Sequence, residues 1–134
     1  MQPAGNPRIL CVGVNYRPHI EEMGRDIPDY PVVFTRFPSS LVGNGEALIR
    51  PRISEQFDFE GELAVVIGKP AHRVPGERAF EFVGGYCCFM DGSVRDWQRH
   101  TMQFTPGKNF DRSGAIGPVM PASAVADPRE LTLT

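Results

Sequence analysis

Three acidic side chains, Asp58, Glu60 and Glu62, occupy alternate positions in the segment 57–67. The odd-numbered positions of the segment carry, apart from a glycine, phenylalanine, leucine, valine or isoleucine. In a β-strand, residues two apart lie on the same face, roughly 7 Å from each other. The alternation therefore predicts a strand with carboxylates on one face and core-packing side chains on the other. Because like charges at that spacing repel, the acidic face must be solvated or must hold a cation.

A cation on this face would be bound by hard oxygen atoms, which favour Mg²⁺, Mn²⁺ or Ca²⁺ over zinc. Ala64 and Val66 continue the same face, which indicates that it is not solvated along its whole length. Asp91 is the best candidate for a further carboxylate ligand, because it ends the apolar run 80–90. Two simpler alternatives stay open: a solvated strand face, and an Asp91 that only caps a helix.

His19 and Glu22 are three residues apart in the segment 18–23, which is predicted to be a short helix. That spacing places both side chains on one helix face. A carboxylate that orients an imidazole makes a usable general base for drawing a proton from water. The same spacing also occurs on surface helices that have no catalytic role. His72 and His100 lack such a partner and are predicted to be surface residues.

The elements that must position these side chains are short. The 14 glycine and 13 proline residues are spread along the chain, which predicts many strands and turns and no linker. The predicted fold class is α+β with strands dominant. Strands are predicted at 9–14, 32–35, 57–67, 80–90, 115–120 and from 131, and helices at 18–23 and 91–100. Asp91 or Ser93 is expected to cap the second helix.

The composition excludes several classes of protein. A length of 134 residues fits one domain, and the hydrophobic share of 41% and charged share of 22% are those of an ordinary globular protein. A net charge of −2 provides no basic surface for nucleic acid or for an anionic membrane. No apolar run approaches the ~18 residues that a membrane span requires. Neither a nucleic-acid partner nor a membrane is therefore expected.

The three cysteines, Cys11, Cys87 and Cys88, do not make a disulfide framework. They are predicted to be small buried side chains in a reducing compartment, which favours the cytoplasm. Because Cys87 and Cys88 are neighbours in a predicted strand, their side chains should point to opposite faces.

From residue 9 onward, the sequence resembles the catalytic domain of the fumarylacetoacetate hydrolase family. The most specific match is the strand that begins Phe57-Asp58-Phe59-Glu60-Gly61-Glu62, followed at a distance by Asp91. The matching stretches, in chain order, are 15–24, 38–43, 57–68, 91–98 and 107–111. The resemblance implies a mixed β-sandwich roll and a homodimer. Residues 1–134 are expected to form a single domain of this type that lacks its closing strands, so that the fold is incomplete at the C-terminus.

The resemblance also implies roles for individual residues. It implies that Glu60, Glu62 and Asp91 hold a Mg²⁺-type ion. The remaining positions that it carries over are His19 and Glu22 on a mobile lid, Lys108 as the active-site lysine, and Arg95 and Gln98 facing substrate. It gives Asp58 no ligand role, and Asp58 is expected to lie behind the ligands.

The activity that the resemblance implies is hydrolysis of a C–C bond in a small β-diketo or acylpyruvate-type acid, through an enolate held by the metal. His19, oriented by Glu22, would activate the water, and Lys108 would stabilise the oxyanion. The same site could instead decarboxylate a 2-oxo-diacid or isomerise an oxo-hexenoate-type acid. A different class also stays open, that of a non-catalytic metal-binding fragment or subunit, as does a ligand-binding domain whose carboxylates are solvated.

Overall fold

Short strands dominate the structure, a computed structural model that describes residues 7–134. The nine strands described there are β1 (Ile9–Gly13), β2 (Val32–Arg36), β3 (Leu41–Val42), β4 (Phe57–Asp58), β5 (Gly61–Ile67), β6 (Val83–Met90), β7 (Ser93–Val94), β8 (Gly114–Ile116) and β9 (Met120–Pro121). The helices are α1 (Arg17–Glu22), α2 (Arg95–Gln98) and α3 (Thr105–Lys108), with 3-10 turns at Pro38–Ser40, Gly76–Phe82, Ala122–Ala124 and Pro128–Glu130. The predicted α+β class with dominant strands is confirmed.

The main sheet is built around β6. Its strand order is β3-β8-β6-β5, and β9 also pairs with β6. β5 and β6 run antiparallel, with Gly61 opposite Met90 at one end. Two antiparallel pairs, β1 with β2 and β4 with β7, complete the architecture. In the part of the chain that the structure describes, no helix is long and apolar enough to cross a membrane.

β6 forms the centre because its apolar residues bury both faces of the strand. Tyr86, Cys87 and Phe89 are each less than a tenth exposed, as expected for a strand covered on both sides. Cys88 points the other way and is exposed. The opposite orientation of the two neighbouring cysteines is thus confirmed, whereas the predicted burial is right for Cys11 and Cys87 and wrong for Cys88.

The acidic segment 57–67 is not one continuous strand. β4 ends at Asp58, and pairing with β6 begins only at Gly61. The prediction of which face packs into the core is also wrong, since Phe59 is 74% exposed and Ile67 is 61% exposed. Glu60 and Glu62, on the other face, are partly buried. Alternation therefore separated the two faces of the segment correctly, but the apolar face that was predicted to be buried is the more exposed of the two.

The predicted helix 91–100 is mostly a strand and a single helical turn. Ser93 and Val94 pair with β4, and the backbone N–H of Arg95 donates to the Gln56 carbonyl at 2.8 Å. The helix α2 begins only at Arg95, and the residue before it, Val94, provides no side-chain cap. Neither Asp91 nor Ser93 is a cap, because Ser93 pairs in β7 and the carboxylate of Asp91 is bound by Arg36 and Lys108.

Other boundaries shift by smaller amounts. Residues 80–82 belong to a 3-10 turn, and the predicted strand 115–120 is divided into β8 and β9. Residues 131–134 form no strand, contrary to prediction. The predicted helix 18–23 is confirmed as α1, and Gly24, at φ +62°, provides the left-handed conformation that ends it. His72 and His100 are exposed, as predicted.

Candidate metal centre

Three carboxylates meet where β5 begins and β6 ends. Glu60 precedes β5, Glu62 lies in it, and Asp91 directly follows β6. Antiparallel pairing of Gly61 with Met90 brings these positions together across the strands. One carboxylate oxygen from each of the three residues lies within 4.8 Å of the other two. A divalent ion with oxygen ligands at 2.0–2.6 Å fits a cluster of this size.

Glu60 receives three hydrogen bonds on a single oxygen. Its Oε1 accepts from Ser93 Oγ at 2.7 Å, from Arg95 at 2.6 Å and from Lys108 Nζ at 2.8 Å. Burial raises the pKa of this carboxyl, but the hydrogen bond and charge of Lys108 more than offset it, so the pKa lies below its ordinary value. No donor among residues 7–134 contacts Oε2, which is therefore available to a ligand.

Glu62 has a different environment from that of Glu60. Within the described residues, no side chain donates a hydrogen bond or forms an ion pair with it. Burial, followed by the negative charges of Asp91 and Glu60, raises the pKa of its carboxyl to about 7. A divalent cation would remove this repulsion. The donor set therefore fits a hard ion of the Mg²⁺, Mn²⁺ or Ca²⁺ kind.

Asp91 is fully buried and is held by two cations. Its Oδ1 accepts from Arg36 at 2.6 Å, and its Oδ2 accepts from Lys108 Nζ at 2.5 Å. Arg36 is not among the site residues predicted from the sequence. A signal was present, because Val32, Phe34 and Arg36 are the inward-facing positions of β2, and a charged residue in such a series implies a buried partner.

Lys108 ends α3 and is only 1% exposed. Its ammonium group bridges Glu60 and Asp91 and lies 5.2 Å from the centre of the Phe34 ring. A close approach of α3 to α2 places it there: a Cβ on Gly107 would lie 2.5 Å from the backbone nitrogen of Gln98. Glycine at 107 is thus required for the position of Lys108.

Arg95 links Asp58 to Glu60. It forms ion pairs with Asp58 at 2.9 Å and with Glu60 at 2.6 Å, and it donates to Gln98 Oε1 at 3.0 Å. Asp58 therefore does not face the carboxylate cluster directly but contacts the arginine beside it. Arg95 and Gln98 line an open cleft together with Glu60 and Lys108.

His19 and Glu22 lie on α1, where His19 Nδ1 is 3.6 Å from Glu22 Oε2. Their side chains are 59% and 82% exposed. His19 lines the same open cleft as Glu60, Glu62 and Lys108. The structure thus brings Glu60, Glu62, Asp91, Lys108 and Arg95 into direct contact or close proximity. It leaves the His–Glu pair exposed to solvent, with only His19 of the two lining that cleft.

Comparison with known proteins identifies the family. Residues 8–134 match the family model described as fumarylacetoacetate (FAA) hydrolase C-terminal. The chain belongs to the fumarylacetoacetate hydrolase family. It is 41% identical over 133 residues to oxaloacetate tautomerase YisK of Bacillus subtilis. The match covers 96% of this chain and 44% of that protein. The chain spans about half the length of the curated relatives it matches.

Two solved structures of the fumarylacetoacetate hydrolase family show the same fold. One is fumarylpyruvate hydrolase from Pseudomonas aeruginosa in complex with Mn²⁺ and pyruvate, at a TM-score of 0.79 and 37% identity, covering 92% of this chain and 57% of that one. The other is 5-carboxymethyl-2-hydroxymuconate delta-isomerase from Mycobacterium smegmatis, at a TM-score of 0.75 and 37% identity. That match covers 86% of this chain and 46% of the other. Relatives in this family thus include tautomerases, isomerases and hydrolases.

Proposed function

We propose that this chain carries the site of a divalent-metal-dependent enzyme that enolises a small 2-oxo acid, with tautomerisation of an oxaloacetate-type diacid as the net reaction. The observation that carries the proposal is the convergence of Glu60, Glu62 and Asp91 beside the buried ammonium of Lys108. The tautomerase relative, at 41% identity, supports this choice of reaction.

Glu60, Glu62 and Asp91 would hold the ion, with Mg²⁺, Mn²⁺ and Ca²⁺ as the candidates. A bound divalent ion would polarise the carbonyl group next to the substrate carboxylate. The other known contacts of the three carboxylates are to cations and a hydroxyl, which fix their geometry without using every oxygen. Oxygens of Glu60 and Glu62 thus stay available to the ion.

Lys108 would stabilise the negative charge that develops on the carbonyl oxygen, because its ammonium is buried and already oriented by two carboxylates. His19, oriented by Glu22, would take the proton from the carbon next to the carbonyl. Return of that proton to the oxygen completes the keto-to-enol change, with no atom gained or lost. Arg95 and Gln98 would orient the substrate from the cleft wall.

Assay of the intact protein with oxaloacetate tests this reaction. The enol absorbs in the ultraviolet, so its formation and decay can be followed directly with Mg²⁺, with Mn²⁺ and with EDTA. We expect catalysis in the presence of either ion, its loss in EDTA, and no turnover by Glu62→Ala. Full activity in EDTA, or a wild-type rate in Glu62→Ala, would reject the metal role.

Hydrolysis of a C–C bond in an acylpyruvate-type acid is the second candidate. The exposure of the His19–Glu22 pair, with His19 lining the cleft, favours it, because water must reach the base that activates it. The structural relative that is a fumarylpyruvate hydrolase supports it as well. An acylpyruvate assay separates the candidates: hydrolysis releases pyruvate and a second acid, whereas tautomerisation conserves the carbon skeleton. Loss of CO₂ from oxaloacetate would indicate decarboxylation instead.

A non-catalytic role is the candidate from another class. It predicts Mn²⁺ binding without turnover of any 2-oxo acid, whereas a ligand-binding domain with solvated carboxylates predicts no Mn²⁺ binding. Titration of the protein with Mn²⁺ distinguishes the two. A homodimer, a single domain and a cytoplasmic location stay predictions.

A further inference from the structure

Arg36 is the most completely buried arginine in the part of the chain described, at 1% exposed. It is the last residue of β2, and its side chain extends inward beneath the carboxylate cluster. Burial of a guanidinium is costly unless each of its N–H groups finds an acceptor. Its partners therefore indicate what the burial achieves.

The guanidinium connects separate segments of the chain. NH1 donates to Asp91 Oδ1 at 2.6 Å and to the Gly92 carbonyl at 3.1 Å. NH2 donates to Ser113 Oγ at 2.7 Å, and Nε makes a longer contact of 3.4 Å to Ser40 Oγ. The planar fork of an arginine can serve these acceptors together, which the point charge of a lysine cannot.

These contacts fix Asp91 at one oxygen, while Lys108 occupies the other. Neither oxygen can rotate away without breaking a buried charge-assisted hydrogen bond. By contrast, Glu62 has no such support from side chains within residues 7–134. Asp91 is thus held at both of its oxygens, and Arg36 ties it to β2 and to the residue before β8.

We infer that Arg36 is a positioning residue that orients Asp91 for binding of a divalent cation. The inference rests on the proposed function, because it assumes that the carboxylate cluster binds the ion. Groups that orient metal ligands typically change metal affinity or activity by ~10–100-fold when they are replaced.

Two other roles for Arg36 predict different results. If Arg36 acted only as a counter-charge, its removal would leave the cluster more negative and tighten cation binding. If it acted only in the stability of the fold, its replacement would lower the melting temperature but leave the Mn²⁺ affinity of the folded protein unchanged. Orientation predicts weaker binding even when the charge is kept.

Calorimetric titration with Mn²⁺, together with melting in EDTA, tests the inference on the intact protein. The variants are Arg36→Lys, which keeps the charge and loses the fork, and Arg36→Met, which loses both. Arg78→Lys is the matched control, because Arg78 forms an exposed pair with Glu81 at 2.8 Å, outside the site.

We expect Arg36→Lys to weaken Mn²⁺ binding by ~10-fold and Arg36→Met to weaken it further, with Arg78→Lys unchanged. Unchanged affinity in folded Arg36→Lys, or tighter binding in Arg36→Met, overturns the inference alone. If Arg36→Met does not fold, Arg36→Lys decides the matter. Absence of Mn²⁺ binding by the unsubstituted protein overturns the proposed function and the inference with it.

Discussion

Lys108 and Asp91, 17 residues apart in the chain, form a buried ion pair with 2.5 Å between Nζ and Oδ2. The pair joins the end of α3 to the residue that follows β6. It places a fixed positive charge against two of the three carboxylates and leaves Glu62 as the one without a cation partner among the described residues. This asymmetry determines how the cluster should respond to substitution and to pH.

Replacement of Glu62 by glutamine should stabilise the metal-free protein while abolishing cation binding. The carboxyl has a folded-state pKa of about 7, above the ordinary value, so near pH 8 its ionised form opposes folding. Removing the charge should increase the free energy of unfolding by on the order of 1 kcal/mol, after allowance for partial solvent screening. Denaturant melts in EDTA with and without the substitution measure it. A less stable Glu62→Gln protein would contradict the prediction.

Cation affinity should increase as the pH rises through about 7. Metal binding requires the ionised carboxylate, and the raised pKa means that Glu62 is protonated below that pH in the metal-free protein. Each unit below it should weaken Mn²⁺ binding by up to ~10-fold, with a plateau above. Titrations in several buffers of different ionisation enthalpy would reveal the released proton. Affinity that does not change between pH 5.5 and 8 would contradict this linkage.

The substitution Gly107→Ala should disturb the position of Lys108. A Cβ at residue 107 would lie 2.5–2.6 Å from backbone and side-chain atoms of Gln98, so α3 must move away from α2. We expect a loss of ~1–3 kcal/mol of stability and a lower kcat. Gly76→Ala is the control, because a Cβ there has no atom within 4 Å. Equal stability of the two variants would show that the close approach of the helices carries no constraint.

The cysteines should differ in reactivity towards an alkylating reagent. Burial, with the charges of Asp91 and Glu62 adding to it, raises the pKa of the Cys11 thiol to about 12, so thiolate is scarce at pH 8. Cys88 is exposed and should be modified first. Peptide mapping by mass spectrometry after brief iodoacetamide treatment ranks the sites. Modification of Cys11 before Cys88 would contradict the assigned burial.

Local pattern was sufficient to find the chemistry of this site but not its geometry. Alternation at Glu60 and Glu62 and the acidic end of an apolar run at Asp91 identified three residues whose oxygens lie within 4.8 Å of each other in the structure. The same alternation assigned Phe59 and Ile67 to the core, where neither lies. Periodicity distinguishes two faces of a strand, but which face is covered depends on neighbours that are distant in sequence.

By itself, the sequence determined the family, the strand-rich class and the acidic residues of the cluster, because these follow from residue type and order. Only the tertiary structure decided that Arg36 lies beneath Asp91, 55 residues away, that Ser93 pairs in a strand and that Arg95 connects Asp58 to Glu60. Each of these contacts joins segments that have no local reason to meet. They form because the folded chain brings charged groups of distant strands together, and charges removed from water must find partners.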